Sequence, residues 1–173
     1  PLVCASVSAE RKVAIISVEG TGFFINSDGT FATAVHVLDG MLDSKRAKPC
    51  PETGFYVPRA GKWEGDEGKI ESEYYRFKIA SDCTQEKTFD VAICKSGIQD
   101  VRKTHPNGVP ALELELSKQP DGTSVGFTGF PLQNMIPYSA HGIISSYVAY
   151  DSKGPTIINL DMSAWPGASG SPV

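Results

Sequence analysis

Every apolar run in this chain has the length of a β-strand. Val13–Val18, Gly22–Ile25 and Phe31–Val35 are rich in β-branched and aromatic residues, and they are parted by Glu19-Gly20 and by Asn26-Ser27-Asp28-Gly29. An Asp-Gly pair readily supplies the positive φ angles of a tight hairpin turn, so the second separator predicts a hairpin. Further strands are expected at Tyr74–Ile79, Val91–Cys94, Ser124–Phe127, Gly142–Val148 and Thr156–Leu160. Glycine, proline, asparagine and aspartate fill the gaps, in keeping with 17 Gly and 12 Pro in 173 residues. A helical period shows only over Val37–Lys45, a turn or two after His36. Many short strands with almost no helix predict an all-β sandwich or barrel. There is no internal repeat and no segment of low complexity.

A chain of this length makes one large domain or two small ones, and 40% hydrophobic with 21% charged residues describes a globular protein. The net charge of -4, with no cluster of Lys and Arg, argues against a protein that neutralises nucleic-acid phosphate. No apolar run approaches the roughly 20 residues of a membrane-spanning helix. The start at Pro1 suggests numbering from within a larger precursor, with any signal peptide removed or never there, so cytoplasmic and exported locations both fit. Cys4, Cys50, Cys83 and Cys94 form no CxxC pair and no zinc-site spacing. Up to two disulfides in three connectivities are possible, but a chain this long needs none to build a core, which favours free, partly buried thiols. The acidic stretch Lys62–Gly68 reads as a solvated hairpin tip, because the ligand spacing of a Ca²⁺ loop is missing.

Three short segments carry chemistry: Thr33-Ala34-Val35-His36 at a strand end, Asp90-Val91-Ala92-Ile93 at a strand start, and Gly167-Ala168-Ser169-Gly170-Ser171-Pro172. Singly, each residue has a structural use: a histidine ends a strand, an aspartate caps a turn, a serine sits in a glycine-rich bend. As an ordered set they offer a nucleophile, a base and an orienting acid. A serine hydroxyl attacks a carbonyl only if a base takes its proton, and imidazole is suited to accept that proton and return it to the leaving amine. The alternative GxSxG elbow of α/β-hydrolases fails. Residue 171 is Ser, the acid and histidine precede the serine, and no alternating helices are present.

With His36, Asp90 and Ser169 spaced by 54 and 79 residues, the set resembles the trypsin-like, chymotrypsin-fold serine peptidases over about Val13 to Val173. The resemblance implies a double six-stranded β-barrel of the chymotrypsin type. A first barrel would span 10–100, a linker 101–110, and a second barrel 111–173. It implies His36 as general base, Asp90 as its orienter, Ser169 as nucleophile, and the Gly167 and Ser169 N–H groups as oxyanion hole. Neither cofactor nor metal is called for, and the partner is a polypeptide substrate.

Animal digestive members of the family carry cysteines where this chain has Val37 and Trp165, and an aspartate where it has Ala168. The Gly20-Thr21-Gly22-Phe23 opening, the Thr128-Gly129-Phe130-Pro131 loop and the Gly142-Ile143-Ile144-Ser145 strand are closer to bacterial HtrA-type and stand-alone members. His105 and His141 take structural readings. By ungapped counting, Ser163 falls where relatives that cut after Lys or Arg place an aspartate, so a neutral residue there suits apolar or small side chains. The chain ends four residues after Ser169, which predicts an unfinished second barrel and a longer native polypeptide. Two rival readings are a latent or non-catalytic binding module on the same fold, and a protease that cuts only its own precursor.

Overall fold

The computed structural model describes residues 1–45, 47–58, 72–96, 107–115, 117–149 and 156–173. Among the described residues, antiparallel strands form three sheets, joined by turns and short helices. Two sheets make the first lobe. One orders its strands β2-β1-β5-β6, from Val13–Gly20, Leu2–Val7, Glu52–Pro58 and Ser72–Arg76. The other orders them β3-β4-β8-β7, from Phe23–Phe24, Thr30–Ala34, Val91–Lys95 and Cys83–Glu86. The third sheet, β11-β10-β9, is the second lobe: Thr156–Asp161, Tyr138–Ala149 and Ser124–Gly129. The architecture is the expected all-β one of the chymotrypsin type, but among the described residues hydrogen bonds do not close the sheets into barrels. Strand β1, ahead of residue 10, lies between β2 and β5. The 62–68 stretch and His105, with most of the expected linker, lie outside the described residues.

Aromatic packing holds the first lobe. Phe31 of β4 and Phe55 of β5 bring the two sheets together with ring centroids 5.1 Å apart, and Phe77 lies 5.2 Å from Phe31. Phe31, Phe55, Tyr75 and Phe77 are all buried. Each buried large side chain contributes about 1.5–3 kcal/mol. Helix α1 (Val35–Leu42) turns Val35, Leu38 and Met41 into the same core, which leaves His36 exposed on its outer side. The helix begins two residues earlier than its sequence pattern suggested, so His36 sits in its first turn.

The reading of the cysteines as free thiols is corrected by the structure. Cys4 bonds to Cys50, and Cys83 to Cys94. Cys83 and Cys94 are direct cross-strand partners in the β7–β8 pair, and Cys4 in β1 is carried beside the segment that enters β5. Sheet register brings these partners together, and linear spacing holds no trace of it. Alkylation of the unfolded, unreduced protein is expected to label no cysteine, and alkylation after reduction all four. Removing either bridge should cost about 2–4 kcal/mol in urea unfolding. The larger loss is expected for Cys4–Cys50, whose separation of 46 residues exceeds the 11 of Cys83–Cys94.

Candidate active site

The first turn of any helix leaves backbone N–H groups without intrahelical acceptors. In α1 the residue before the helix, Ala34, has no side chain to supply one. Asp90 does so from the β7–β8 turn, 54 residues away. Its carbonyl accepts from the Val35 N–H at 3.1 Å, and its Oδ1 accepts from the His36 N–H at 2.8 Å. The helix dipole favours a carboxylate in that position. The second oxygen, Oδ2, lies 2.5 Å from His36 Nδ1. A carboxylate on Nδ1 fixes the proton there in the neutral ring and leaves Nε2 as the basic nitrogen. Asp90 holds a left-handed backbone with φ 56°, which Asp tolerates better than most side chains. Both side chains are accessible, His36 at 58% and Asp90 at 48%.

Ser169 lies in a tight loop whose peptide groups are pinned one after another. The Ala168 N–H donates to Trp165 O at 3.0 Å, and the Ser171 N–H to Ala168 O at 3.0 Å. The Leu132 N–H donates to Pro166 O at 2.7 Å. In a trans peptide the carbonyl and the N–H of one unit point in opposite directions. The bond to Pro166 O therefore also aims the Gly167 N–H, and the bond to Ala168 O aims the Ser169 N–H. Among the described residues neither of these two N–H groups has a protein acceptor. Gly167 (φ 95°) and Gly170 (φ 82°) hold conformations that L side chains rarely adopt.

The first lobe reaches this loop through Gly20 and Thr21. The Thr21 N–H donates to Ser169 O at 2.8 Å. A Cβ on Gly20 would stand 2.7 Å from Val37 Cγ2 and 3.0 Å from Ser169 O. Only a bare Cα lets the loop and the residue after His36 approach so closely. The Cα of Gly170 is likewise pressed on Thr21 O, where a Cβ would come within 2.1 Å. The structure thus joins His36 to Asp90 directly, and seats the Ser169 main chain against the strand beside Val37. The Gly-Thr-Gly pattern was visible in the sequence as a motif, but its contacts with the serine loop were not.

An apolar hollow of about 370 Å³ opens beside Ser169, lined by Phe127, Leu160, Met162 and Trp165 together with Ser169 and Ser171. The buried Ser171 Oγ has no hydrogen-bond partner among the described residues. Ser163 is exposed, and its neighbours Met162 and Ala164 line the hollow instead. A more polar hollow of about 400 Å³ touches the other part of the loop, at Pro166 and Gly167, and is bordered by Glu19 and Gln133. His141 is exposed on β10, opposite Gly126 of β9, and does not line either hollow. Among the described residues no cluster of His, Cys, Asp or Glu could hold a metal ion, and no helix is long and apolar enough to cross a membrane.

An antiparallel β protein with a His–Asp pair and a pinned Gly-x-Ser-Gly loop, joined through Gly20 and Thr21, has the form of a chymotrypsin-like protease. Residues 20–173 match the model of the trypsin-like peptidase domain, and the chain belongs to that family. Its fold is similar to the crystal structure of Deg5 (TM-score 0.62, 18% identity, 99% of this chain and 71% of that one). It is similar also to the Rv3671c protease from M. tuberculosis in its active form (TM-score 0.57, 16% identity, 99% of this chain and 63% of that one). The HtrA-type protease AlgW with a decapeptide matches too (TM-score 0.58, 17% identity, 93% of this chain and 40% of that one). No curated protein sequence matches the chain.

The glycine contacts give a paired test. Gly170→Ala drives a Cβ into Thr21 O and should destabilise the fold by about 3 kcal/mol or more in thermal or urea unfolding. Gly122 shares the positive φ, at 84°, but has nothing within 4 Å of its Cβ position. Gly122→Ala should therefore cost only the backbone strain, about 1 kcal/mol.

Proposed function

We propose that this domain is a serine endopeptidase in which Ser169 is the nucleophile, His36 the general base and Asp90 its orienter. The observation that carries the reading is the Asp90 carboxylate on His36 Nδ1, which leaves Nε2 as the ring's proton acceptor. In the first step Ser169 Oγ attacks the substrate carbonyl while His36 Nε2 takes its proton. The imidazolium so formed is stabilised by the Asp90 carboxylate. The tetrahedral oxyanion accepts from the Gly167 and Ser169 N–H groups, each worth about 2.7–4 kcal/mol. His36 then returns the proton to the leaving amine, and an acyl-enzyme remains. Water, deprotonated by His36, attacks that ester, and the proton passes to Ser169 as the acid departs. Atoms and protons balance without a cofactor.

The substrate class is polypeptide. The hollow beside Ser169 suits a neutral, apolar side chain on the acyl side of the cut, since Phe127, Leu160 and Met162 offer it no counter-charge. The neutral Ser163 fits the same preference through the absence of an acid, although it does not line the hollow. In this reading residues 10–100 hold the base and the acid, 111–173 hold the nucleophile, and 101–110 connect them.

A fluorophosphonate probe tests the reading. Intact mass should rise by one adduct in the wild type and not in Ser169→Ala. Asp90→Asn should slow acylation of a peptide ester about 10⁴-fold while the fold survives, because it installs the wrong tautomer on His36. A folded wild type that takes up no probe would replace this reading with that of a latent or binding module.

A further inference from the structure

Thr21 is almost fully buried, with 2% of its surface exposed, and all of its polar groups are engaged around the serine loop. Its N–H donates to Ser169 O at 2.8 Å, and its carbonyl accepts from Thr33 Oγ1 at 2.7 Å. Its hydroxyl works in both directions, donating to Gly167 O at 3.3 Å and accepting from the Phe130 N–H at 3.0 Å. A hydroxyl has one proton to give and lone pairs to receive, and here one atom ties two separate segments to the first lobe.

Gly167 is one of the two glycines of the loop with a positive φ. Lacking a Cβ and held at φ 95°, it gains little from local sterics to fix either of the peptide groups it joins. The peptide on its N-terminal side is held by the Leu132 N–H on Pro166 O. The peptide on its C-terminal side is held through Gly167 O by the Thr21 hydroxyl. The same hydroxyl anchors Phe130, whose carbonyl stands 2.9 Å from the position of a Cβ on Gly167 and so forms the wall behind it. Phe130 leads directly into Pro131 and Leu132, so the Thr21 hydroxyl bears on both peptide groups of Gly167, the C-terminal one of which is also held by the Ala168 N–H on Trp165 O.

We propose that Thr21 is a positioning residue whose hydroxyl keeps the Gly167 N–H aimed for transition-state oxyanion binding. The inference rests on the serine-peptidase reading above, since it assigns Thr21 a part in that reaction. The substrate does not touch Thr21; the residue acts through Gly167 and Phe130. A valine at this position keeps the shape and removes the hydroxyl, leaving the Phe130 N–H and Gly167 O without that partner. A serine keeps the hydroxyl and removes only the methyl group.

The test compares wild type, Thr21→Val and Thr21→Ser. Fluorophosphonate labelling, kcat and KM on a peptide ester, and amide exchange at Phe130 are read for each. Thr21→Val should lower kcat and the labelling rate by about 10–100-fold, below the loss of a whole oxyanion donor, with KM nearly unchanged. Exchange of the Phe130 amide should speed up in the same variant. Thr21→Ser should restore all three readouts to within a few-fold of wild type. Wild-type labelling in folded Thr21→Val would overturn the proposal. So would a Thr21→Ser that loses as much as Thr21→Val, because the methyl group and not the hydroxyl would then matter. If Thr21→Val does not fold, Thr21→Ser decides alone: retained labelling supports the hydroxyl's role and lost labelling removes it. An unlabelled wild type would instead overturn the peptidase reading itself, and the positioning role with it.

Discussion

The contact on which the arrangement turns is the one between the Thr21 backbone and the serine loop. A 2.8 Å hydrogen bond to Ser169 O and the bare Cα of Gly170 against Thr21 O join segments nearly 150 residues apart. Backbone hydrogen bonds of this kind are modest in net energy, about 1 kcal/mol each, but costly to leave unmade once buried. Thr33 Oγ1 extends the junction into β4, the strand that runs straight into α1 and His36. The lobe that carries the histidine and the loop that carries the serine are therefore registered to one another by main chain, with little side-chain freedom between them. A site that must hold reacting groups to fractions of an ångström gains from that stiffness.

Asp90 illustrates how one residue meets a structural and a chemical demand together. The N-terminus of α1 needs acceptors, and Asp90 supplies them through its carbonyl and Oδ1. Those bonds hold the carboxylate so that its remaining oxygen meets the imidazole. The β7–β8 turn that presents Asp90 is braced by Cys83–Cys94 at the far end of the strand pair. The left-handed backbone at Asp90 is thus held from both sides, by the helix it caps and by the bridged strands below it.

How much could be read before the fold was known depends on the range of the interaction. The β-branched runs and the Asn26–Gly29 turn signal concern neighbours in sequence, and they became β2, β3 and β4. Strands β1, β5 and β7 were not anticipated. Leu2–Val7 and Glu52–Pro58 lie beside cysteines, prolines and charged residues that blur alternation, and Cys83–Glu86 is only four residues long. Their pairing partners, not their local pattern, make them strands. The disulfides were misread for the same reason, since Cys4 and Cys50 meet only once β1 and β5 are in register.

The sequence by itself determined the strand-rich class and the order of histidine, aspartate and serine motifs, because local periodicity and short glycine-rich patterns survive in one dimension. It also placed glycines where the backbone must turn left-handed, as at Gly167 and Gly170. Only the tertiary structure decided that Asp90 caps the helix bearing His36, that Met162 and not Ser163 faces the hollow at Ser169, and that the Thr21 hydroxyl spans Gly167 and Phe130. Each of these depends on the close approach of segments far apart in the chain. Such approaches are set by sheet register and by the absence of a Cβ at a few crossing points, which no local pattern encodes.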